Sequence, residues 1–377
     1  MGAAQVAVGS GLAFSPALHG LRGLAAMAVL AFHWSQHYPL ANGWLAQWQW
    51  GPMPWMNISL PLALGWQGVP LFFVLSAYLL TAQWHRQPLA PATVGHYVLR
   101  RALRIYPAVW FQMALVLCVL PWLPTLWRPF TLSELLQSAL LWINMPPTMV
   151  APLNLVWWTL PIEFSFYLAL PLLVGLSRRV GWLPVVLVSF VVTVAWRSAV
   201  MAWFAGEHMV ARLPILDALP GSLATFAAGF ALAHHQGRWP ARVPWPVCVL
   251  WLIAYLGLQY GLLSNVDTYW TGHWMLAVWN PLFAGVVALA VGVVMSDVRW
   301  GRWFSGAWMV WLGELSFGIY LWHFPVLIAM RQLWPASEGS ISLGLLALPL
   351  CVVLTLLLAW ASYTLVERPA MRLFRAR

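Results

Sequence analysis

Ten apolar runs, each long enough to cross a bilayer, fill most of this 377-residue chain. They fall at about 17–37, 60–84, 105–127, 153–176, 181–204, 215–235, 245–263, 273–296, 308–330 and 342–366, against the ~20 residues a helix needs to traverse the hydrocarbon. Inside a bilayer no water can satisfy backbone N–H and C=O groups, so runs of this kind predict helices that bond internally. The expected fold is all-α: a polytopic bundle of about ten spans forming one membrane domain over 1–377. Composition agrees, with 62% hydrophobic and 7% charged residues, whereas a soluble domain carries about 25% charged. No fixed-period repeat, heptad array or linker divides the chain.

The net charge of +10 would suit nucleic acid if the basic groups formed one face. All 19 are arginines, however, and most sit in short segments between apolar runs, so no nucleic-acid partner is expected. With the amino terminus in the cytoplasm, inside segments collect Arg86, Arg100, Arg101, Arg104, Arg178, Arg179, Arg238, Arg242, Arg299, Arg302, Arg368, Arg372, Arg375 and Arg377, whereas outside segments receive Arg128, Arg212 and Arg331. Fourteen against three obeys the positive-inside rule and places both termini in the cytoplasm. The first fifteen residues lack the basic region of a cleaved signal, so the first run reads as a retained signal anchor. Stretch 129–151, with Glu134, Asn144, Pro146 and Pro147, reads as re-entrant, interfacial or spanning. Cys118, Cys248 and Cys351 lie scattered in apolar sequence and imply neither a disulfide framework nor a metal.

Polar residues inside the runs carry the chemistry. Arg22 and His33 are eleven residues apart in the first helix, almost three turns, so they share a face and lie roughly 16 Å apart along the axis. An arginine keeps its charge in hydrocarbon whereas histidine titrates near neutrality. Together they mark one path, with a charge anchor at one end and a proton-handling group at the other. Arg101 and Arg104 share a helix face in the Arg100-Arg-Ala-Leu-Arg-Ile-Tyr-Pro107 segment. That segment is expected to open the third helix, where free N–H groups also favour anions; the plain alternative is an inside-loop basic cluster. Glu163 is expected near mid-depth of the fourth helix, where a carboxyl needs a partner or a task.

These residues stand in a recognisable order. An Arg and a His with ten residues between them, Gly68-Val-Pro-Leu-Phe-Phe-Val-Leu-Ser76, Arg-x-x-Arg before Ile-Tyr-Pro, Trp-x-Leu-x-x-Glu-x-x-Phe-Tyr-Leu-x-x-Pro, Leu312-Gly-Glu-Leu-Ser-Phe-Gly-Ile-Tyr-Leu-Trp-His-Phe-Pro325 and the closing Val366-Glu-Arg-Pro369 together resemble the acyltransferase-3 family. Nearly the whole chain takes part. The resemblance implies a multi-pass protein of the bacterial cytoplasmic membrane that moves an acyl group, most often acetyl, from cytoplasmic acyl-CoA to a hydroxyl of an extracytoplasmic glycan or glycolipid. The family commonly has Asp where His19 and Pro70 stand and Gly where Ala77 stands, which leaves the orientation of Arg22 open. Many relatives carry a soluble hydrolase-like domain after the last helix. None is expected here, so transfer would be completed by the membrane domain or by a separate periplasmic relay partner.

On that reading Arg22, Arg101 and Arg104 grip the phosphates of acetyl-CoA, because arginine binds phosphate through paired N–H donors. His33 acts as general base on the acceptor hydroxyl or carries the acyl group itself, and Glu163 orients or charges the imidazole. Ser76, Tyr78, Tyr167, Arg197 and His323 are the further pocket or acceptor candidates. Packing is the alternative for Ser76, Tyr78 and His323, and snorkelling to headgroups for Arg197. His33 and His37 are i,i+4, but no third ligand lies nearby in sequence and no metal is expected. Ser316 lacks the spacing of a nucleophile elbow; His234 and His235 read as a helix end facing water. A secondary transporter would share ten spans and buried ionisable groups but usually shows an internal repeat. A non-catalytic subunit of a polysaccharide export assembly is the third class. The acceptor is not encoded in helix patterns.

Overall fold

A computed structural model describes residues 15–85, 87–119, 122, 130–146 and 148–373. Arg86, Arg128, Arg375, Arg377 and the segment before Ser15 lie outside the described residues. Ten long helices occupy the ten apolar runs: α1 (Pro16–His37), α2 (Gly68–Trp84), α3 (Pro91–Val119), α4 (Thr159–Val180), α5 (Trp182–Trp203), α6 (Leu219–His234), α7 (Trp245–Ser264), α8 (Met275–Ser296), α9 (Ala307–Leu333) and α10 (Ile341–Ser362). By length and composition eight of the described helices can cross a membrane, or nine if the bent pair Met209–Leu216 and Leu219–His234 is one span. That test falls short of the expected ten by α1 and, where the bent pair is not one span, by α6. α1 is 22 residues long, but His19, Arg22, His33, Gln36 and His37 dilute its apolar character below that of its neighbours.

Two further boundaries differ from expectation. α3 begins at Pro91, so Arg101 and Arg104 lie three turns inside the helix. Their backbone N–H groups are committed to helical bonds, and no helix terminus helps them attract an anion. Polar His96 and the arginines hid this first half from a hydropathy reading without interrupting the helix. Among the described residues of stretch 129–151 the structure forms one eight-residue helix, Leu132–Ala139, started by a capping box between Thr131 and Glu134. Eight residues rise ~12 Å, too little to span.

α1 makes most of its contacts with two long helices. It packs chiefly on α9, with α2 on another side. The α1–α9 approach requires glycine at the contact: a Cβ on Gly313 would sit 2.0 Å from the His19 carbonyl oxygen, and one on Gly23 would sit 2.7 Å from Leu312 Cβ. Such backbone proximity, common where membrane helices pack through small residues, brings the polar face of α1 against α9. On the far side, Phe73, Phe226 and Phe166 stack with centroid spacings of 4.6 and 4.1 Å, joining α2, α6 and α4.

Two ion pairs hold bends between helices. Arg197, only 3% exposed, bonds Asp217 at 2.6 Å and the Leu276 and Gly221 carbonyls, closing the break before α6. Between α8 and the helix Val298–Phe304, Asp297 takes hydrogen bonds from Arg299 and from the Val243 backbone. The Arg299 guanidinium holds this carboxyl well below the usual carboxylate range, against the opposing effect of burial.

Replacing Gly313 by Val should force α1 and α9 apart at the His19 carbonyl. We expect a loss of about 1–3 kcal/mol, read as a lowered unfolding midpoint of the detergent-purified protein.

Candidate functional site

A cavity of about 790 Å³ opens among α1, α2, α3, α4 and α9. Its residues come from equivalent ends of several helices. Ser15 and Pro16 at the start of α1, Gln83 at the end of α2, Gln236 just after α6 and Met295 near the end of α8 line one end; Phe72, Thr159 and Tyr320 line the other.

Three guanidinium groups face into this space, those of Arg22, Arg101 and Arg104. Arg22 Nε donates to Ser316 Oγ at 3.4 Å, so the departure at Pro70 is met by a hydroxyl on α9 rather than by a carboxylate on α2. Arg101 Nε is buried with no hydrogen-bond acceptor among the described residues. Arg104 lies over the Phe317 ring, 5.5 Å from its centroid. A single carboxyl, Glu163, lines the same cavity and sits in the second turn of α4, nearer its amino end than mid-depth. It accepts hydrogen bonds from Ser76 Oγ at 2.7 Å and from the Tyr167 hydroxyl. Three fixed positive charges around one carboxylate leave the cavity positive, and a polyanion entering it would offset the surplus. Tyr78, 1% exposed, also lines the cavity wall.

His33 does not line this cavity, which corrects the expectation of a single continuous path from Arg22. Helix periodicity does set both side chains on one face of α1, but Phe72 and Tyr320, from α2 and α9, line the cavity where His33 does not. Tyr320 packs edge-on to Phe72 at 6.1 Å and lies 5.9 Å from the His323 ring. Its hydroxyl donates to the Val156 carbonyl at 2.7 Å, so Thr159, 2.8 Å away, donates to it. Tyr320 is thus the shared wall between the arginine-lined cavity and the histidines.

Beyond that wall, His33 meets His323 rather than Glu163. His323 Nδ1 lies 3.0 Å from the Ile319 carbonyl, and its Nε2 lies 3.0 Å from His33 Nδ1, which is also 3.1 Å from the Val29 carbonyl. Carbonyls only accept, which assigns the tautomers of the neutral pair. Nδ1 of His323 carries its proton, leaving Nε2 as a bare acceptor; Nδ1 of His33 then donates to it, and His33 Nε2 keeps a free lone pair. This nitrogen is the basic and nucleophilic atom of the pair.

Two supports were not legible from the sequence. Gln112, fully buried, donates to the Leu321 carbonyl at 2.6 Å and accepts from Trp157 Nε1 at 2.6 Å and Asn154 Nδ2 at 3.1 Å. It fixes α9 two residues before His323. On the other side of His33, His37 Nδ1 lies 2.7 Å from Arg331, which pairs with Glu338 at 2.6 Å. Arg197, the remaining candidate, is engaged at the α6 break and does not line the cavity. Among the described residues no cluster of three metal-ligating side chains exists.

Residues 15–364 match the family model described as an acyltransferase domain. The chain is similar to acyltransferase MdmB of Streptomyces mycarofaciens, 32% identical over 96% of this chain and 93% of that protein. It is also similar to nodulation protein 10 of Rhizobium leguminosarum bv. viciae, at 26% over 85% of this chain and 88% of that protein. Peptidoglycan O-acetyltransferase OatA of Listeria monocytogenes is 25% identical over 94% of this chain, which spans 56% of that longer protein. No solved structure matches.

If Tyr320 and Phe72 divide the two spaces, thiols placed on either side should differ in reactivity. In a background with Cys118 and Cys248 replaced by serine, Ser76→Cys should react with a water-soluble maleimide about tenfold faster than His33→Cys. The rates are read by mass shift; equal rates would show an open passage.

Proposed function

The chain belongs to the acyltransferase-3 family of membrane acyltransferases, and from that membership we propose that it moves an acetyl group from cytoplasmic acetyl-CoA to a hydroxyl of an extracytoplasmic glycan or glycolipid. The observation that carries this reading is the pairing of a cavity lined by three arginines and an imidazole whose Nε2 is left basic behind one tyrosine. The excess of arginine in inside segments supports a cytoplasmic mouth, with both termini on that side and the protein in the bacterial cytoplasmic membrane.

In this reading the nucleotide and pyrophosphate of the donor sit among Arg22, Arg101 and Arg104, where guanidinium groups supply paired donors and permanent charge. The pantetheine arm extends past Ser76 and Glu163 towards Phe72, whose ring swings aside to let the thioester reach His33. Glu163 faces the arginines and not His33, so its task is to balance their charge and to order Ser76 and Tyr167.

At the histidines, the acceptor hydroxyl approaches from the side of His37 and Arg331. His33 Nε2 takes the hydroxyl proton as the oxygen attacks the thioester carbonyl. The C–S bond then breaks, and the CoA sulfur leaves with the proton from His33 Nε2. In the covalent route Nε2 itself attacks the thioester carbonyl and the C–S bond breaks, leaving the acetyl group on a positively charged imidazole and CoA as the thiolate; the acceptor oxygen then attacks that acetyl group, the N–C bond breaks to restore neutral His33, and the hydroxyl proton passes to the thiolate. His323 accepts from His33 Nδ1 throughout and stabilises the positive charge that develops on the imidazole. The names of similar proteins extend the reading to acceptors: OatA is a peptidoglycan O-acetyltransferase, which favours an envelope glycan here.

His33→Ala should lower acetyl transfer to envelope glycans about 10²–10⁴-fold at unchanged protein level, measured by mass spectrometry of glycans from complemented deletion cells. Normal acetylation by the variant would end this proposal. Rapid quenching of the wild type with radiolabelled acetyl-CoA separates the two routes: label retained on His33 marks a covalent carrier, and its absence during turnover marks direct transfer.

A further inference from the structure

α10 does not end as an ordinary helix. After Ser362 the backbone widens into a π-helical turn, Tyr363–Glu367, and continues as Arg368–Arg372. A cause is visible in the sequence: Pro369 has no N–H and its ring crowds the carbonyl four residues earlier, so a regular α-turn there is disfavoured. The wider turn shifts every later side chain around the axis, and Glu367 comes to face inward. Its residue is 2% exposed, a placement that is costly for a carboxylate unless it serves something.

What it faces is Arg104. Glu367 Oε2 lies 3.5 Å from Arg104 Nη1, and the other carboxyl oxygen accepts from Ser362 Oγ at 3.4 Å. Oε2 makes no hydrogen bond of its own, so its interaction with the guanidinium is one of charge. Arg104 Nη1 also contacts Met371 Sδ at 3.4 Å, so both contacts come from the segment that the π-turn re-aims. Phe317 lies against the guanidinium from α9. With Nη1 turned towards Glu367, no protein hydrogen bond among the described residues engages Nε or Nη2, and Arg104 lines the cavity.

We propose that Glu367, delivered by the π-turn, is a positioning residue that holds Arg104 in the donor cavity with two of its nitrogens free for a phosphate. It does not touch the donor. Arg22, Arg101 and Arg104 repel one another, and a long side chain on α3 would relieve that repulsion by turning away; the buried carboxylate behind Arg104 removes that option. The carboxyl-terminal segment thereby becomes part of the donor site, although it contributes no residue to the cavity wall. This inference rests on the reading of the cavity as the acyl-CoA site.

The test uses the full chain purified in nanodiscs, with coenzyme A itself as the probe, and compares the wild type with Glu367→Gln, Glu367→Asp, Arg104→Gln and the Glu367→Gln/Arg104→Gln double variant. Glu367→Gln should weaken coenzyme A binding about tenfold, Glu367→Asp should recover most of that loss, and the double variant should bind no more weakly than Arg104→Gln alone. Recovery by aspartate separates positioning from a folding defect, because a merely destabilised variant loses thermal midpoint in parallel with affinity. If Arg104→Gln weakens binding while Glu367→Gln does not, or if the two losses multiply in the double variant, the inference is overturned and the donor cavity stands. If Arg104→Gln binds coenzyme A as tightly as the wild type, the donor reading fails and the inference falls with it.

Discussion

The close contact between α1 and α9 is the constraint on which the rest of the site depends. Gly23 and Gly313 let the two backbones approach until three polar groups of α1 meet partners on α9: Arg22 with Ser316, His33 with His323, His37 with Arg331. In hydrocarbon, neither helix could carry these groups facing lipid, because an unsatisfied polar atom there costs several kcal/mol. Facing one another, they satisfy most of their own needs. The residual unmet capacity, the bare Nε2 of His33 and the free nitrogens of the arginines, is what remains for chemistry.

That arrangement separates two kinds of electrostatic environment within a few turns of helix. On the Arg22 side, three permanent charges and a carboxylate face a cavity large enough for solvent, where charge is tolerable and attraction for an anion is strong. On the His33 side, two neutral imidazoles sit among Phe32, Phe324 and Tyr320, where a fixed charge would be costly. Histidine can enter such a place uncharged and take a proton only when the reaction supplies one. An arginine at position 33, or a histidine at position 22, would suit neither environment. Tyr320 belongs to both sides, because its hydroxyl is anchored on the chain before α4 while its ring faces His323. Tyr320 and Phe72, packed edge-on, thus lie together at the boundary of the two spaces.

Much of the fold was legible in the chain, since ten apolar runs became ten long helices. The reading faltered where polarity and helicity part company. α3 starts fourteen residues before the expected point because Pro91 to Arg104 is helical yet polar on one face, and α1 escapes a purely apolar criterion because its working residues lower its average. In the site, local spacing put Arg101 and Arg104 on one helix face, and both line the cavity, but the expectation joined Glu163 to His33, whereas Glu163 lines the cavity with the arginines. It could not reveal that His33 pairs with His323, 290 residues away, nor that Phe72 and Tyr320, from two other helices, line the cavity where His33 does not. Periodicity fixes the face on which a residue lies; what occupies the space in front of that face is a tertiary fact.

A related distinction bears on α1, which carries Arg22 and His33 and yet has half of its residues buried. In water, burial selects apolar helices for the interior; in a bilayer, lipid already solvates apolar surface, so the helices with most to gain from protein neighbours are those with polar groups to hide. α1 and the middle of α9 are therefore driven inward by the cost of exposing Arg22, His33 and His323. α7, with few polar side chains facing lipid, remains at the periphery, largely exposed along its length. Site and fold are consequently not independent in this chain. The polar residues that equip the cavity and the histidine pair also favour the contact between α1 and α9, so replacing several of them together with apolar residues would remove a reason for these two helices to pair as well as the chemistry.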